Sequence, residues 1–477
     1  MSMVHHGFLS LLVRLALGGS VLFCPWVMAQ SQKAESSSAV IDTLTKEFEG
    51  AFPQNITPKD SIREFDLVAA PGIWGIIPPY RTDVWAYNQQ IPGPVFRIRL
   101  GETVKVQFTN RLPQPTTIHW HGVRVPNAMD GVPGVTQPPI RSGERFTYQF
   151  TPKDPGTFWF HPHVNAAEQV ERGLHGVLIV EDPGEPRYSQ DLVLVLDDWL
   201  LEPDGAIRDR FVTRHDLAHD GRWGNVPTVN GRLRPSFSVR AGERIRIRMI
   251  NVANGRVFAP LFPGLSPQVI AVDGMLTAAP FPLQRFNLAP GNRIDLDLII
   301  PDTAQGTVLP LVDTFTRNRF PLTSFEVEPG TAVETPRFQT PQAAHFPDWG
   351  KAAEAPVAHE YLFDAVRGGP YGIAWRINGQ AWPDSTETEL KSGRFHRLRL
   401  TNESSRLHPM HLHGQFFRLL ARDGKPVDER FWRDTILIGP EESVDIGLVP
   451  LDKGRWANHC HILEHAEAGM MSVVRVK

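Results

Sequence analysis

The stretch HCHILEHAEAGM (459–470) places three histidines, one cysteine and one methionine within twelve positions. The sequence contains 2 cysteines, and the other one, Cys24, lies in an apolar N-terminal segment far from this stretch. If that segment is a cleaved secretory signal, Cys460 is the single thiol of the mature protein. A lone thiol in an oxidising compartment forms no internal disulfide and is open to oxidation. The pattern therefore predicts that a metal ion holds Cys460.

The residues around Cys460 match the ligands of a mononuclear copper site. His465 follows the cysteine by five positions and Met470 follows it by ten, while His408 lies in the separate stretch HPMHLHG. Two imidazoles, a thiolate and a weakly held methionine are the ligands of blue copper, which transfers single electrons. Copper would also keep the thiolate deprotonated and occupied. The spacing thus indicates an electron-transfer site and accounts for the unpaired cysteine.

A second set of histidines forms four His-x-His pairs. Residues i and i+2 of a β-strand project from the same face, so each pair directs two imidazoles at one region. Eight neutral imidazoles that meet in one place suit a cluster of divalent transition metals such as copper, iron, nickel or zinc. The pairs are His119 with His121, His161 with His163, His411 with His413, and His459 with His461.

The two kinds of site are joined by the chain itself. Cys460 lies between His459 and His461, which belong to the second set. Electrons that enter one at a time at the thiolate site can therefore pass through a single residue to a site that holds several. Dioxygen needs four electrons to become water, and four copper ions together supply them.

Three copies of one sequence plan must position these side chains. Each copy has a turn, a run of alternating apolar and polar residues, a glycine turn, and a second alternating run that ends in asparagine. Alternation with a period of two is typical of half-buried β-strands. Each unit has the size of one β-sandwich, which favours an all-β protein of three modules over a single large irregular sheet. The copies are YNQQIPGPVFRIRLGETVKVQFTN (87–110), VNGRLRPSFSVRAGERIRIRMIN (229–251) and INGQAWPDSTETELKSGRFHRLRLTN (377–402).

The closing asparagines give matched offsets for the histidines. Asn110 of the first copy and Asn402 of the third are each followed at plus nine and plus eleven by a His-x-His pair. After Asn251 of the second copy, the same offsets hold Pro260 and Phe262, which cannot bind a metal. The outer modules are therefore expected to contribute the cluster ligands and the middle module none.

The first module is expected to lack a mononuclear site. Where the third module has His408 and Cys460, the first has Thr116 and Pro162. The counterpart of His465 is Ala167, or Gln169 if the loop is shifted. None of these side chains reproduces the ligands of blue copper.

Composition and the N-terminus limit the class of protein. A formal net charge of −3 gives no reason to expect a nucleic-acid partner, and 39 glycines with 42 prolines favour a loop-rich β protein. Residues 1–29 are predicted to be a signal peptide, because the apolar run ends in a small-residue cleavage pattern at Ala29. The run is short and interrupted by glycine and proline, which argues against a membrane anchor. We expect a periplasmic or secreted protein with no stable membrane association after cleavage.

The histidine motifs resemble the four signatures of the three-domain multicopper oxidases. This family includes laccases, bacterial spore-coat oxidases and the periplasmic cuprous oxidases of copper tolerance. The resemblance implies three consecutive cupredoxin-like Greek-key β-sandwich domains, at 61–185, 186–335 and 336–477, after an N-terminal linker at 30–60. The motifs are HWHG (119–122), HPH (161–163), HPMHLHG (408–414) and HCHILEHAEAGM (459–470).

The resemblance also implies four copper ions with defined ligands. A type 1 copper would be held by His408, Cys460, His465 and the axial Met470. A type 2 copper would lie between His119 and His411, whose equal offsets from an asparagine agree with this pairing. Two type 3 coppers would complete the cluster, one held by His121, His161 and His461, the other by His163, His413 and His459.

The activity implied is the oxidation of phenolic or other aromatic reductants at type 1 copper, coupled to reduction of dioxygen to water. A metal-ion oxidase that acts on Cu(I), Fe(II) or Mn(II) is the alternative enzyme. A copper-free structural protein, like the cell-division relatives of the family, is the non-enzymatic alternative, and the complete set of ligands argues against it. A two-domain nitrite reductase is disfavoured by the three modules and four motifs.

Asp130 is the candidate proton donor, since an acidic residue at this place lies near the cluster in similar enzymes. The alternative is a loop carboxylate that caps a turn. Many bacterial relatives carry a glutamate directly after the type 1 histidine for proton delivery, but this chain has Ala466. Glu464 and Glu467 are close in sequence, but the sequence does not determine whether their side chains point toward the cluster.

The sequence leaves the reducing substrate open. It has 9 methionines and no cluster of them between 350 and 410, which disfavours a Cu(I) oxidase of the copper-tolerance type. The stretch RHDLAHDGRW (214–223) places His215 and His219 four apart beside two aspartates. These side chains form either an additional metal site or a solvated loop.

Overall fold

The computed structural model describes residues 37–54 and 56–477, and the predicted signal peptide lies outside them. The all-β prediction is confirmed, because the described residues form far more strand than helix, and the strands pair into two sheets in each of three successive domains. No helix among the described residues is long and apolar enough to span a bilayer.

The first domain consists of two four-stranded sheets, in the orders β2-β1-β4-β6 and β3-β8-β7-β5. Residues alternate between half-buried and buried along β4, as its sequence pattern predicts. The strands are β1 (Ile62–Trp74), β2 (Thr82–Tyr87), β3 (Val95–Arg99), β4 (Thr103–Asn110), β5 (His119–His121), β6 (Arg145–Phe150), β7 (Gly156–His161) and β8 (Gly176–Glu181).

The second domain pairs a six-stranded sheet, β10-β9-β12-β16-β14-β15, with a four-stranded one, β11-β18-β17-β13. Its central strand β12 is buried along its whole length, including the arginines of RIRIRMIN. The strands are β9 (Gln190–Trp199), β10 (Val226–Val229), β11 (Ser236–Val239), β12 (Arg244–Asn251), β13 (Pro260–Leu261), β14 (Gln268–Val272), β15 (Met275–Pro282), β16 (Arg293–Ile299), β17 (Val308–Asp313) and β18 (Phe320–Val327).

The third domain has sheets of six and five strands, β20-β19-β22-β27-β24-β25 and β21-β29-β28-β23-β26. The strands are β19 (Val357–Arg367), β20 (Ile373–Ile377), β21 (Glu387–Leu390), β22 (His396–Asn402), β23 (His408–Leu412), β24 (Arg418–Arg422), β25 (Lys425–Pro426), β26 (Thr435–Ile438), β27 (Ser443–Leu448), β28 (Gly454–Cys460) and β29 (Met471–Val476).

The three domains share one pairing scheme. In the first sheet of each, the leading strand runs parallel to the strand that ends in the repeated asparagine: β1 with β4, β9 with β12, and β19 with β22. In the second sheet, a parallel pair again joins an early strand to the last one: β3 with β8, β11 with β18, and β21 with β29. A long connection that returns the chain beside a strand distant in sequence is a feature of Greek-key folds.

The repeated asparagine stabilises the turn after each central strand. In all three domains its side-chain oxygen accepts a hydrogen bond from the backbone N–H two residues later, at 2.9–3.0 Å. Its amide group donates to two backbone carbonyls in the loops that follow. Asn110, Asn251 and Asn402 thus fix the same turn three times, which explains the matched offsets to the histidines.

Part of the predicted linker 30–60 is helical. Residues 37–47 form helix α1, and its Leu44 is buried. Phe48 lies just beyond the helix and stacks on Trp349, with ring centroids 5.9 Å apart. The segment therefore packs into a core that includes side chains of the first and third domains.

Each domain contributes one short helix to a group of three. They are α2 (Ala166–Glu171), α3 (Arg214–Ala218) and α4 (Leu463–Glu467), with α4 contacting both of the others. Two 3-10 turns, Asn127–Met129 and Ala352–Glu354, complete the regular elements of the described residues.

Candidate metal centres

Paired strands present the His-x-His motifs in the same way in both outer domains. In the first domain β5 runs antiparallel to β7 with His119 opposite His161. In the third, β23 runs antiparallel to β28 with His411 opposite His459. The side-chain period of two then places the second histidine of each pair on the same side as the first. Two equivalent strand pairs thus bring eight imidazoles together.

The predicted mononuclear ligands form a compact buried group. The Sγ atom of Cys460 lies 3.6 Å from Nδ1 of His408 and 3.9 Å from Nδ1 of His465. The two Nδ1 atoms are 3.3 Å apart. Met470 is buried in the same core cluster, and its carbonyl accepts the N–H of Cys460 at 3.0 Å.

The outer ring nitrogens of both histidines are anchored. Nε2 of His465 lies 2.9 Å from the carbonyl oxygen of His219, so this nitrogen must carry the proton and donate. Nε2 of His408 lies 2.9 Å from Oγ of Ser404. When each Nε2 carries the proton, Nδ1 presents a lone pair toward the thiol, as a metal ligand requires.

Burial sets the charge state of this group. It lowers the pKa of His465 to about 3 and that of His408 well below the usual value, so both imidazoles are neutral. Burial also raises the pKa of the Cys460 thiol. A thiol in this apolar position loses its proton only if a cation takes its place, which is what a bound metal ion does.

The first pair of facing cluster histidines joins the two outer domains. The Nε2 atoms of His119 and His411 lie 3.4 Å apart. Their Nδ1 atoms donate to the main-chain carbonyls of Asp130 and Asp434, at 3.0 and 2.9 Å. The two imidazoles are thus held equivalently, with one ligand atom each aimed at the same point.

A second group contains His163, His413 and His459. Nε2 of His459 lies 3.0 Å from Nε2 of His413 and 3.4 Å from Nε2 of His163. Nδ1 of His413 donates to Oδ2 of Asp130, and Nδ1 of His459 donates to the carbonyl of Cys460. The three ligand atoms lie within 4.8 Å of one another.

The rings of the remaining three histidines lie beside one another, although the closely spaced ligand group that contains His121 and His161 is completed by His119 and not by His461. Ring centroids are 5.8 Å apart for His121 and His161, 4.9 Å for His121 and His461, and 5.3 Å for His161 and His461. Within the described residues, Nδ1 of His121, Nε2 of His161 and both ring nitrogens of His461 have no hydrogen-bond partner. Leaving one such buried nitrogen without a partner costs about 1–3 kcal/mol. Bound copper would satisfy these atoms, so the donor set fits a transition-metal cluster.

Burial also keeps the cluster histidines neutral. It lowers the pKa of His121, His161, His163, His413 and His461 well below the usual value, and neighbouring histidines add to the effect. The pKa of His459 falls to about 3 for the same reason. Neutral imidazoles are the form that binds metal ions.

Asp130 faces the cluster. It directly follows the 3-10 turn Asn127–Met129, and it is 1% exposed. Besides the bond from His413, its Oδ1 lies 3.2 Å from Nδ1 of His119. Asp130 therefore ends a turn through its backbone while its carboxylate contacts histidines from both outer domains.

The second domain forms one wall of the cluster, a role that no motif in its sequence predicts. Gly291, just before β16, approaches so closely that a Cβ atom there would lie 2.9 Å from Cε1 of His121. Arg293 binds the carboxylate of Asp434 through both terminal nitrogens, at 2.9 and 2.7 Å. Oδ1 of Asp434 lies 3.2 Å from Nε2 of His121.

Asp434 and Arg293 belong to a buried charge network. Although burial opposes it, the Arg293 guanidinium lowers the pKa of Asp434 to about 2, so the carboxylate is ionised. Asp273 completes the group and accepts the backbone N–H of Arg293 at 3.1 Å. None of these residues lies in a histidine motif, and their roles depend on contacts between distant parts of the chain.

The glutamates around Ala466 point in different directions. Glu464 faces away from the cluster, since its carboxylate accepts bonds from Asn254 at 2.7 Å and from the N–H of Arg222 at 3.1 Å. Glu467 and Ala466 line a cavity of about 180 Å³ whose wall also includes cluster histidines. A carboxylate thus lines this cavity one position after the alanine.

The first domain replaces the mononuclear ligands by a neutral hydrogen bond. Oγ1 of the buried Thr116 donates to Oε1 of Gln169 at 2.7 Å. Thr116 occupies the position equivalent to His408, so this contact makes Gln169, rather than Ala167, the counterpart of His465.

The stretch 214–223 does not form an additional metal group in the structure. Among the described residues, none of the groups of three closely spaced ligands includes His215 or His219. The two rings instead stack in parallel, 4.1 Å apart at 19°. The carboxylate of Asp216 caps α3 through the N–H and hydroxyl of Thr213.

Three family models, each described as "Multicopper oxidase", match successive parts of the chain: residues 75–185, 190–305 and 354–477. Each match falls within one of the three domains. The middle match falls on the domain that lacks the histidine pairs.

Curated relatives carry related names. The multicopper oxidase MmcO of Mycobacterium tuberculosis is 30% identical, over 80% of this chain and 81% of its own length. A copper resistance protein A homolog of Pseudomonas syringae pv. tomato is 24% identical, covering 87% and 92%. Laccase-1 of Cryptococcus neoformans var. grubii is 25% identical, covering 83% and 78%.

The fold is also similar to that of solved structures. A multi-copper oxidase from Pseudomonas thermotolerans superposes with a TM-score of 0.77 at 33% sequence identity. The alignment covers 88% of this chain and 100% of the other.

Proposed function

The chain belongs to the multicopper oxidase family, whose members use copper, and we propose that it couples four one-electron oxidations of an aromatic reductant to the four-electron reduction of dioxygen to water. The observation that carries this proposal is the position of Cys460. It lies between His459 and His461, so one strand end connects the thiol group to the histidine cluster. Two redox sites whose ligands are adjacent residues of the chain suit single-electron entry and multi-electron delivery.

The ligand sets we propose are those that the resemblance to the family implies. His408, Cys460, His465 and Met470 would hold type 1 copper, and His119 with His411 would hold type 2 copper. The type 3 ions would be held by His121, His161 and His461, and by His163, His413 and His459. When bound, copper supplies the one-electron redox steps and the site at which dioxygen is reduced.

The protein's own groups fix and isolate these sites. Main-chain carbonyls hold His119, His411, His459 and His465 by one ring nitrogen, which selects the tautomer and leaves the other nitrogen for the metal. Apart from His163, which is partly exposed, the proposed ligands are buried, and this limits the access of bulk water to both centres. Orientation before binding reduces the cost of placing each ligand.

Dioxygen is proposed to reach the cluster through the cavity of about 180 Å³ lined by His161, His163 and His459. The other lining residues include Val132, Trp382 and Leu463, whose apolar side chains suit a small neutral molecule.

A metal-ion oxidase is the second candidate, because one relative is named a copper resistance protein. The two activities differ in the donor that reduces the thiolate site. We expect a copper-loaded preparation to consume oxygen with 2,6-dimethoxyphenol at a ratio of about four donor molecules per dioxygen, without releasing peroxide. An oxygen electrode and a peroxide assay measure this, with Cu(I) as the competing donor. Oxygen consumption with Cu(I) and none with the phenol would favour the second candidate.

Asp130 is proposed to hold the proton that oxygen reduction consumes. In Asp130→Asn an amide oxygen can still accept from His413, but the side chain carries no transferable proton. We expect the turnover of dioxygen to fall about 100-fold, the lower range for loss of a general acid. Anaerobic bleaching of the type 1 blue band by the phenol should stay unchanged, because Asp130 does not contact that group. A variant that loses copper along with turnover would instead assign Asp130 to holding the histidines.

Location and partners complete the proposal. Residues 1–29 are proposed to be a cleaved signal peptide that delivers the protein to the periplasm or the exterior. Dioxygen and a small reductant are the proposed partners, and the net charge of −3 gives no reason to expect a nucleic-acid partner.

A further inference from the structure

A segment of the second domain, residues 210–223, covers the thiolate site. The carbonyl of His219 accepts the Nε2 proton of His465 at 2.9 Å, and the carbonyl of Leu217 accepts the indole N–H of Trp375 at 3.1 Å. The Trp375 ring packs on His465 with centroids 4.3 Å apart. His465 is 0% exposed as a result. A reductant therefore meets the outer surface of this segment rather than the histidine itself.

The cover is fixed in place. Gly221 has φ +81°, and a Cβ atom there would lie 2.5 Å from Ile462 and 2.8 Å from Oε2 of Glu464. Nε of Arg222 lies 3.1 Å from Oε1 of Glu171, and both side chains are buried. The segment thus contacts α2 of the first domain and α4 of the third. Because these contacts hold it in place, electrons must pass through it to reach His465.

A cavity of about 460 Å³ opens beside the cover. Its lining includes Arg208, Arg210, His215, His219, Asp220 and Trp223. The volume suits a molecule of one or two aromatic rings. His219 belongs to this lining, and its carbonyl also accepts the hydrogen bond from His465. A single residue therefore connects the cavity to the buried histidine.

The charges in this cavity distinguish between classes of reductant. Oδ1 of Asp220 accepts the N–H of Leu407 at 2.8 Å, and the Asp216 carboxylate caps α3, so hydrogen-bond donors of the protein already hold one oxygen of each carboxylate. Arg208 pairs with Glu202 at 2.9 Å. Arg210 is exposed, and no ion pair of its guanidinium occurs within the described part of the chain.

The histidines of the lining are poorly placed for a metal ion. Nδ1 of His219 donates to the carbonyl of His215 at 2.8 Å, which leaves one nitrogen. The lone pair of an imidazole lies in the plane of its ring, and these two rings are stacked with nearly parallel planes. One cation cannot lie in both planes at once, whereas an aromatic molecule can pack against an exposed ring face.

We propose that this cavity binds an aromatic reductant that carries an anionic group, a proposal that rests on the oxidase function above. Arg210 binds the anion, and the ring of the reductant packs near His219. One electron leaves the phenol and crosses the hydrogen bond between His219 and His465; its acceptor would be the oxidised type 1 copper of the proposed oxidase function. The phenol proton goes to solvent, and a phenoxyl radical departs. Four such events supply the electrons that reduce one dioxygen.

A matched pair of donors and a matched pair of variants test this site. The donors are 4-hydroxy-3,5-dimethoxybenzoate and 2,6-dimethoxyphenol, which share the phenol and differ by a carboxylate. In Arg210→Ala we expect KM for the benzoate to rise about fivefold, as for loss of an exposed ion pair worth about 1 kcal/mol. KM for the neutral phenol should stay the same. Arg214→Ala removes an exposed arginine of the same segment that lies outside the cavity lining, and it should change neither KM.

A binding measurement separates docking from catalysis. 3,4,5-Trimethoxybenzoate has no phenol to oxidise, and calorimetry should detect its binding to the copper-free wild type and a similar weakening in Arg210→Ala. Equal effects of Arg210→Ala and Arg214→Ala would mean that the overall surface charge, and not a specific site, attracts the benzoate, and would overturn the proposal. An unchanged KM for the benzoate in Arg210→Ala would overturn it as well. If the analogue binds but the loaded wild type consumes no oxygen with either donor, the oxidase function fails and the electron-entry step fails with it.

Discussion

Replacing Cys460 by serine is expected to abolish the intense blue absorption of the copper-loaded protein and its oxidation of every donor. The absorption arises from the bond between sulfur and copper, and a hydroxyl does not reproduce it. Turnover should fall by about a thousandfold or more, which corresponds to about 4 kcal/mol in activation free energy. Absorption and paramagnetic-resonance spectra, a metal count and the oxygen electrode measure these changes.

The histidine cluster provides an internal control for this variant. Serine is close in size to cysteine, and Cys460 itself is not among the proposed cluster ligands. The copper count should therefore fall from about four to about three, with the type 2 resonance retained. If the variant and the wild type have the same spectrum, the thiol does not bind copper and the site is misplaced. Loss of all copper would show that the strand end needs the sulfur ligand to form.

The histidine pairs could be predicted because they depend on local periodicity. The turn that follows each repeated asparagine is closed by bonds spanning a few residues, so the offsets from Asn110 and Asn402 carry over from one domain to the other. The strand period of two then places both histidines of each pair on the same face. These features need no knowledge of how the domains meet.

The surroundings of the sites could not be predicted, because they arise from contacts between distant residues. His121 and Asp434 are 313 positions apart, and His465 and His219 are 246 apart. The second domain carries none of the proposed ligands, yet it supplies Arg293 to the cluster wall and the cover of His465. Sequence patterns within a domain hold no information on such pairings.

The helix within the predicted linker had a signal that the interpretation missed. Leu44, Phe48 and Phe52 follow one another at intervals of four, which is typical of one helical face. All three are buried in the structure. The spacing continues past the end of helix α1, so it identifies the buried side of the segment rather than the length of the helix.

Gly291 provides the sharpest test of the wall that the second domain forms. The backbone there has φ +89°, and a Cβ atom would lie 2.9 Å from Cε1 of His121 and 3.1 Å from Cδ2 of His461. Neither ring can yield easily, because His121 stacks on His411 with centroids 3.8 Å apart. A methyl group would therefore displace two proposed ligands of one type 3 ion.

We expect Gly291→Ala to lower oxygen turnover about 100-fold, since a displacement of about 1 Å at a catalytic group has an effect of that size. The blue band should remain, because the thiolate site does not contact Gly291, while the copper count should fall. Gly264→Ala is the matched control: this glycine has φ +77°, and a Cβ atom there would have no neighbour within 4 Å, so the variant bears a similar backbone cost of about 1–2 kcal/mol without touching a histidine. Equal losses in both variants would mean that strain alone lowers activity. Full activity in Gly291→Ala would mean that the second domain does not constrain the cluster.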